Sequence, residues 1–434
     1  MMKRFFKVGM LAAFAAGMIF SGCSKKQAAK AADPNAPVTL TVWCWDPNFN
    51  IYAMNTAAEI YRRDHPNVTV NVVETPWADL QQKLATSLNA GATDTLPDII
   101  LMQDNATQRY VINYPKAFLP LDGKVDVNSF AGYKVMDGTV DGKHYSVPFD
   151  NGVTGTFLNM DIIEAAGLKL EDFEDITWDR FIELGKIVKS KTGKGLIGTQ
   201  QGSSDMLMVM LQSAGSWFFD ANGKITMKDN AVLKETLATY KRMVEAGVLV
   251  EVPDWAGYIA TINGATCAGT INGCWIIGSI VGEPSQKGRW RLTTTPRFAN
   301  INGATNYSNQ GGSSWMVMAN SKNPDVAMDF LNKTFAGSKE LYDTILPSSG
   351  AISTWLPAGD SDVYNAPHEF FGGQKVYKML TGYASKVPQV KYGVYNYEAS
   401  GAISSRIIDI VQGKVSIDDA LKAAQEELEF QMGI

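Results

Sequence analysis

This sequence has few histidines and no excess of basic residues. His65, His144 and His368 are the only histidines in 434 residues, and their wide separation argues against a His-based catalytic or metal site without excluding one. Lys and Arg number 39 against 44 Asp and Glu, which gives a formal net charge of −5, and they are scattered along the chain. Because nucleic-acid binding requires a basic patch or stripe, we expect no nucleic-acid partner.

Cysteine is also scarce, with four residues in the chain. Cys44, Cys267 and Cys274 remain after Cys23, and an odd count without neighbouring histidines argues against a structural zinc site. We expect no metal and no cofactor. In an exported protein a disulfide is permitted, and the conceivable pair is Cys267 with Cys274.

The N-terminus carries three basic residues among its first seven, followed by an uncharged apolar stretch over residues 8–20. That stretch is too short to span a bilayer. It leads into Ser-Gly-Cys at Cys23, and the whole arrangement resembles the signal sequence of bacterial lipoproteins. The resemblance implies a signal peptide over residues 1–22, acylation of Cys23 and attachment to a membrane. The alternative is an ordinary signal peptide with an incidental cysteine.

The remainder of the chain is predicted to be a tether followed by two soluble domains. Residues 24–37 are rich in Lys, Ala, Asp and Pro, a composition that cannot build a core, so residues 23–37 form the acylated cysteine and a flexible tether. Beyond Cys23 no segment reaches about 18 apolar residues without a charge. More than 400 residues exceed what one hydrophobic core usually supports.

Hydrophobic periodicity predicts an α/β protein. Residues 38–45 and 68–74 alternate in the manner of strands, and residues 96–102 form a short apolar strand of the buried parallel type. Helical spacing separates these strands, which is typical of a doubly wound sheet. Further helices are expected at residues 51–63, 77–90, 178–191, 205–214, 232–246, 324–334, 400–412 and 417–431, and further strands near 154, 266–275 and 315–319.

Several segments then occur in the order found in one family. They are LPDIILMQD (96–104), VDGKHYSVPFDNG (140–152), TWDRF (177–181), ATCAGTINGCW (265–275), SWMVMANSKNPDVAMDFLNKTF (314–335) and GKVSIDDAL (413–421). Together with the N-terminal signal, they resemble the extracellular solute-binding proteins of carbohydrate ABC importers, the group that includes maltose-binding protein. The resemblance covers nearly the whole mature chain.

This resemblance implies a two-lobed periplasmic-binding-protein fold with discontinuous domains, a hinge and a central ligand cleft. The N-terminal lobe would comprise residues 38–147 and 311–362, and the C-terminal lobe residues 150–309 and 366–434. Such proteins are not enzymes. We therefore expect an exported monomer at the outer face of the cytoplasmic membrane or in the periplasm, which passes a small carbohydrate to the permease subunits of an ABC transporter.

Sugars offer C–H faces that stack on aromatic rings and hydroxyl groups that need hydrogen-bonding partners. In open α/β sheets the ligand lies beyond the carboxyl ends of the strands. After the first strand, Trp45, Asp46 and Asn48 are ligand candidates, although a tryptophan can equally pack in the core and Asx residues can start a turn. Trp77, just ahead of a helix, would either overhang the cleft or hold that helix.

The resemblance supplies further candidates. The loop after the third strand provides Asp104 and Asn105, with helix capping as the alternative role of Asp104. Asp150 lies at the first crossing between the lobes. Asp205 begins a helix that faces the cleft in this family.

The second lobe and the second crossing provide the remaining candidates. Trp275 follows a strand at a position that often holds a stacking tryptophan, and Trp255 precedes it in a loop, where it would either contact the ligand or pack. At the second crossing Asn309, Gln310 and Gly312 are candidates, and hinge flexibility alone would explain the glycines equally well.

Two departures from the family pattern leave the ligand open. Gly152 replaces an acidic residue of some relatives, and the expected aromatic is missing near Ser400, where Tyr395 and Tyr397 lie close by. One alternative keeps the fold with a polyamine or another small polar solute as ligand, and clustered tyrosines weakly permit ferric ion. The other is a secreted glycoside hydrolase, which needs two carboxylates at a set separation.

Overall fold

The computed structural model describes residues 36–47 and 49–434. The predicted signal peptide, the acylated Cys23 and Asn48 lie outside the described residues. Within them, no helix is both long enough and apolar enough to cross a membrane.

Most strands are short, and most belong to two five-stranded sheets. In chain order the strands are β1 (Val38–Cys44), β2 (Val68–Glu74), β3 (Ile99–Gln103), β4 (Thr139–Val140), β5 (Lys143–His144), β6 (Val147–Pro148), β7 (Thr154–Asn159), β8 (Gly195–Gln200), β9 (Leu249–Val252), β10 (Cys267–Gly273), β11 (Trp290–Thr293) and β12 (Ser313–Val317).

Helices connect most of these strands. They are α1 (Asn50–Arg62), α2 (Trp77–Ala90), α3 (Asp104–Asn113), α4 (Gly132–Asp137), α5 (Met160–Ala165), α6 (Trp178–Thr192), α7 (Asp205–Ser213), α8 (Ala231–Glu245), α9 (Trp255–Asn263), α10 (Ile277–Val281), α11 (Pro324–Lys333), α12 (Lys339–Ser349), α13 (Asp362–Asn365), α14 (Val376–Ala384), α15 (Asn396–Val411) and α16 (Ile417–Met432).

The first sheet has the strand order β2-β1-β3-β12-β6. Strand β1 runs parallel to β2, with Val38 opposite Val68, and parallel to β3 on its other side. Strand β12 returns antiparallel to β3. The alternation predicted for β1 is present, since Leu40, Val42 and Cys44 are fully buried. We call this sheet with the helices packed on it, which include α1, α2, α3 and α11, the first lobe.

The second sheet has the strand order β11-β7-β10-β8-β9. Strand β8 runs parallel to β10 and β9, whereas β7 runs antiparallel to β10 and β11. Helices α6, α8 and α9 pack on this sheet, and α15 and α16 pack on α8. This assembly is the second lobe. The exact residue limits predicted for the two lobes stay a prediction.

Two connections carry the chain between the sheets, one from β6 to β7 and the other from β11 to β12. They lie side by side, because Val153 pairs antiparallel with Asn309 and the Gln310 amide donates to the Gly152 carbonyl at 2.7 Å. Asp150 pairs with Ser353 on the other side of the first connection. The hinge is therefore a small set of adjacent extended segments.

Most predicted elements are confirmed within two residues of their ends. Helix α6 begins at the predicted cap, where the Thr177 hydroxyl accepts from the Arg180 amide at 3.3 Å. Two expectations need correction. The helix expected from Ser400 begins four residues earlier at Asn396, and Trp255 opens helix α9 instead of lying in a loop. Asp254 caps that helix by accepting from the Gly257 amide at 2.8 Å.

The disulfide that the sequence left open between Cys267 and Cys274 is not formed. Cys267 begins β10 and Cys274 directly follows its last residue, so an extended strand of roughly 3.3 Å per residue holds the two far beyond disulfide reach. Both thiols and that of Cys44 are free and buried. Burial raises the pKa of Cys267 to about 11, and the Cys274 thiol donates to the Asn151 carbonyl at 2.7 Å.

Candidate functional site

A cavity of about 670 Å³ lies between the lobes, beside the two crossing segments. Both lobes contribute to its lining. The residues that line it are Trp45, Asp46, Phe49, Asn50, Gln103, Asn105, Asp150, Ser204, Asp205, Met208, Trp255, Trp275, Ser279, Gln310, Gly311, Gly312, Ser313, Asn396, Tyr397 and Ser400. The volume lies in the range of small-molecule sites.

Most of the predicted ligand contacts meet around this cavity. They are Trp45, Asp46, Asn105, Asp150, Asp205, Trp255, Trp275, Gln310 and Gly312. Trp77, Asp104 and Asn309 lie next to the cavity but outside its described lining. Their own contacts explain their positions.

Trp77 supports Trp45 from behind. The two rings lie 5.3 Å apart with planes tilted by 58°. Trp45 follows the last residue of β1 and is half-buried, so one part of its ring faces the cavity while Trp77 covers another part. An aromatic pair of this kind fixes a ring in place, and we assign Trp77 to positioning Trp45.

Asp46 starts the turn that leads into α1, and it also lines the cavity. Its carboxylate accepts from the Phe49 amide at 3.1 Å. Asn50 holds the same turn, because its side-chain oxygen accepts from the amides of Trp45 and Asp46 at 3.0 and 2.9 Å. The alternative role considered for Asp46, a turn-starting residue, therefore coexists with its place in the cavity.

The second lobe supplies an aromatic wall made of Trp275 and Trp255. Their ring centroids are 5.8 Å apart, and the planes are inclined by 39°. The Trp275 indole N–H donates to the Gln310 carbonyl at 3.1 Å, which ties this wall to the second crossing. The Trp255 side chain is 43% exposed, a large apolar surface in an open cleft. Wide aromatic faces of this kind suit the C–H face of a sugar ring.

The Asp104 carboxylate forms a buried ion pair and does not line the cavity. Its carboxylate contacts the ammonium of Lys134, which is fully buried, and accepts from the Ser314 hydroxyl at 2.7 Å. Lys134 also donates to the Ser313 carbonyl at 2.9 Å. Asp104 does not cap a helix with its side chain either, because its carboxylate bonds to Lys134 and Ser314, which are distant in sequence. The pair lies beneath the second crossing and holds it.

Gly312 and Asn309 shape that crossing. Gly312 has φ +102°, and an added Cβ would lie 2.5 Å from a carboxylate oxygen of Asp104. Asn309 is 3% exposed, and its amide group donates to the Gly311 carbonyl at 2.8 Å. Asn309 thus maintains the bend of the crossing, and Gly312 permits the close approach to the ion pair.

Hydrogen bonds fix the positions of Asp150 and Asp205 in the cavity lining. The Asp150 carboxylate accepts from the Ser313 amide at 2.7 Å, which joins the first crossing to β12. Asp205 is the first residue of α7, and its amide donates to the Ser203 hydroxyl at 3.2 Å. Burial raises the pKa of Asp205, while side-chain hydrogen bonds with Ser203 and Gln310 oppose the rise.

Asp137 carries a buried oxygen without a hydrogen-bond partner, one turn from Lys134. Burial first, and the charge of Asp104 second, hold the Asp137 pKa well above its usual range. The folded state therefore binds more protons than the unfolded state between the ordinary aspartate pKa near 3.9 and the raised one. In that window the contribution of Asp137 to the free energy of unfolding falls as the pH rises.

We expect Asp137→Asn to flatten this pH dependence, because the side chain can no longer ionise. Denaturant unfolding at pH 4.5 and pH 8 measures the slope for the wild type and the variant. Asp94→Asn, at an exposed position, is the matched control and is expected to keep the wild-type slope. An unchanged slope in Asp137→Asn would contradict the assignment.

Several lining residues were missed by sequence reasoning. They are Phe49, Asn50, Gln103, Ser204, Met208, Ser279, Gly311, Ser313, Asn396, Tyr397 and Ser400. Tyr397 stands out among them, because it is an aromatic side chain close to where the family pattern expected one. The aromatic residue is visible in the sequence, but the helix predicted from Ser400 excludes Tyr397, whereas the observed α15 begins at Asn396 and includes it.

The lining is acidic and aromatic. Asp46, Asp150 and Asp205 line the cavity, and neither Lys nor Arg occurs among the described lining residues. Across the part of the chain that the structure describes, no group of three or more His, Cys, Asp or Glu side chains could hold a metal ion. Of the clustered tyrosines, Tyr397 lines the cavity. Aromatic faces and neutral or anionic hydrogen-bonding groups are therefore what the site offers to a ligand.

Residues 56–371 match the family model of the bacterial extracellular solute-binding proteins. The chain belongs to this family. It is also 40% identical over 393 residues to the lactose-binding protein of Rhizobium radiobacter, an alignment that covers 91% of this chain and 93% of that protein. Proteins of this family bind solutes, and the comparison extends across nearly the whole of both chains.

Solved structures of two other binding proteins show the same fold. One is the galacto-N-biose-/lacto-N-biose I-binding protein of an ABC transporter from Bifidobacterium longum, with a TM-score of 0.74, 20% identity and coverage of 92% of this chain and 97% of that one. The other is the sugar-binding protein MalE of Xanthomonas citri, with a TM-score of 0.75, 16% identity and coverage of 91% and 98%. The two-lobed periplasmic-binding-protein fold expected from the sequence is confirmed.

Proposed function

We propose that this solute-binding protein captures a short carbohydrate in the interlobe cavity and delivers it to the membrane subunits of an ABC importer. The observation that carries the proposal is the cavity lining, which combines Trp45, Trp255 and Trp275 with carboxylate and amide groups. Tryptophan faces stack on sugar rings, and Asp, Asn and Gln accept and donate hydrogen bonds to hydroxyl groups.

The ligand is a disaccharide of the lactose type. The similarity to the lactose-binding protein of Rhizobium radiobacter supports this choice, since the alignment covers 91% of this chain. Trp45 belongs to the first lobe and Trp255 with Trp275 to the second. Each wall thus offers one aromatic surface to a ligand with two rings.

Binding proceeds by closure of the two lobes about the adjacent crossing segments. The hydrogen bonds between the crossings, and the Asp104–Lys134 pair beneath them, hold these segments together while the lobes rotate. The chain binds its ligand without converting it, as expected of a solute-binding protein. The membrane permease recognises the closed form.

The remaining expectations from the sequence belong to the same proposal. The lobes comprise residues 38–147 with 311–362 and residues 150–309 with 366–434. Cys23 is acylated and residues 23–37 tether a monomer to the outer face of the cytoplasmic membrane or within the periplasm. Several acyl chains anchor a protein firmly, because each buried CH₂ contributes roughly 0.8 kcal/mol.

A polyamine is the second candidate ligand, and the charge of the lining favours it. Three aspartates surround the cavity without a basic residue among the described lining positions. A cation between aromatic faces and carboxylates is well stabilised. The raised pKa of Asp205 and the hydrogen bonds that engage Asp150 reduce this negative potential.

A thermal-shift screen of residues 24–434 separates these candidates. We expect lactose and related disaccharides to raise the melting temperature, because a ligand that binds only the folded state adds roughly 2.7 kcal/mol at 100 times its dissociation constant. Glucose, spermidine and putrescine complete the panel. Stabilisation by spermidine with no response to any saccharide would keep the fold and overturn the carbohydrate assignment.

A further inference from the structure

The cleft between the lobes contains a second hollow of about 650 Å³. Within the described chain its lining shares no residue with the cavity described above. It also draws on both lobes. The residues that line it are Gln108, Met136, Thr139, Gly215, Ser216, Trp217, Phe219, Asp220, Ala221, Thr226, Asp229, Asn230, Ala231, Gln389, Val390 and Lys391.

The two hollows lie on opposite sides of one wall. Asn105 lines the first cavity and Gln108 lines the second, and both belong to helix α3. On the other lobe Asn396 lines the first cavity and Trp217 the second, and the Trp217 indole donates to the Asn396 side-chain oxygen at 2.8 Å. The material between the hollows is thus α3 on one side and the start of α15 on the other.

Direct contacts between the lobes close this wall. On the side of the first cavity, the Tyr397 hydroxyl lies 2.6 Å from the side-chain oxygen of Gln103 and 2.9 Å from that of Asn105. These two acceptors belong to the first lobe, whereas Tyr397 belongs to the second. The tyrosine therefore bridges the two lobes at the border of the cavity.

Further contacts between the two lobes lie close to Tyr397. The Arg109 guanidinium and the Glu398 carboxylate form an ion pair at 3.0 Å across the lobes. The Gly393 amide donates to the Gln108 side-chain oxygen at 3.1 Å in the same region. A ligand lengthened toward the second hollow would have to break the tyrosine contacts and the contacts behind them.

We propose that Tyr397 is a specificity-determining residue that sets the length of the ligand by closing one end of the cleft. The inference rests on the proposed carbohydrate function and narrows it to saccharides that terminate at Tyr397. A saccharide that extends past Tyr397 is rejected. Removal of the Tyr397 side chain takes away the part of this wall that faces the first cavity and leaves space at that end.

Lactose and two trisaccharides test this inference. One trisaccharide carries an added hexose on the non-reducing end of lactose, and the other on the reducing end. Because the wall closes one end, we expect the wild-type chain to bind one trisaccharide at least about tenfold more weakly than lactose. Calorimetric titration gives each dissociation constant, and the ratio to lactose removes any general loss of affinity.

Tyr397→Ala is expected to bring the rejected trisaccharide to within about threefold of lactose, as the space for another ring opens. Tyr397→Leu, which introduces a smaller apolar side chain, is expected to act in the same direction. It serves as a second variant in case Tyr397→Ala does not fold. Tyr397→Phe keeps the ring and the rejection. Tyr395→Ala is the matched control, since Tyr395 lies two residues earlier and outside the described lining, and it should keep the wild-type ratio.

The outcomes distinguish a failure of the length assignment from a failure of the proposed carbohydrate function. If the wild-type chain binds lactose and both trisaccharides equally well, or if folded Tyr397→Ala and Tyr397→Leu retain the rejection, the length assignment is overturned and the carbohydrate function stands. Absence of binding by the wild-type chain to every saccharide overturns the proposed function and this inference with it.

Discussion

Trp275→Ala is expected to weaken lactose binding by about 30- to 1,000-fold, which corresponds to roughly 2–4 kcal/mol for the loss of a central aromatic anchor. Two effects combine in this variant. The substitution removes the ring that forms the second-lobe wall with Trp255, and it frees the Gln310 carbonyl that the indole N–H contacts at 3.1 Å. Calorimetric titration of folded protein measures the loss.

Two further variants isolate the role of the Trp275 ring. Trp275→Phe keeps an aromatic face but loses the hydrogen bond to the second crossing, so we expect an intermediate affinity. Trp43→Ala removes a half-buried tryptophan of β1 that lies outside the described cavity lining. It is expected to lower stability and leave the dissociation constant unchanged. Equal affinities of Trp275→Ala and the wild type would remove Trp275 from the site.

Gly312→Ala is expected to lower the free energy of unfolding by more than about 2 kcal/mol, because strain and a steric clash add up. The backbone at Gly312 has φ +102°, a conformation that side chains rarely adopt. The added methyl group would also lie 2.5 Å from an oxygen of Asp104 and 3.1 Å from the ammonium of Lys134. The buried ion pair would have to separate, and the crossing that lines the cavity would shift.

Gly303→Ala is the matched control for this substitution. Gly303 has φ +80°, and an added Cβ would meet nothing within 4 Å. Its cost is therefore the backbone conformation alone, roughly 1–2 kcal/mol. Denaturant unfolding of both variants compares the two effects. If Gly312→Ala proves no more destabilising than Gly303→Ala, the ion pair does not constrain the crossing as described.

Local sequence signals were sufficient for most of the fold. The β-branched alternation of residues 38–44, and the Thr177 cap before an amphipathic helix, depend on neighbours within a few residues. The start of α15 had no such signal. Its N-cap residue is Tyr395, which makes no side-chain capping bond, so nothing in the sequence marked Asn396 as the first helical residue.

The site was partly predictable for a related reason. Residues that follow strands, such as Trp45 and Trp275, reach the cleft because parallel strands end at one edge of a sheet. Asp104 follows β3 in the same way. Its carboxylate is, however, paired with the ammonium of Lys134, which lies 30 residues later in the sequence. Trp77 likewise packs against Trp45 from the start of α2, beyond α1 and β2 in the chain. Partners at such separations in sequence decide whether a side chain faces a ligand or holds its neighbour.

A disaccharide of the lactose type is expected to occupy the cavity between Trp45 and Trp275. Isothermal titration of lactose into residues 24–434, alongside Trp275→Ala, tests it most directly. We predict one binding site per chain with a dissociation constant in the micromolar range or below, and binding about 30- to 1,000-fold weaker in the variant. No heat with lactose or any other disaccharide, together with a saturable response to spermidine, would show that the cavity binds a polyamine and not a carbohydrate.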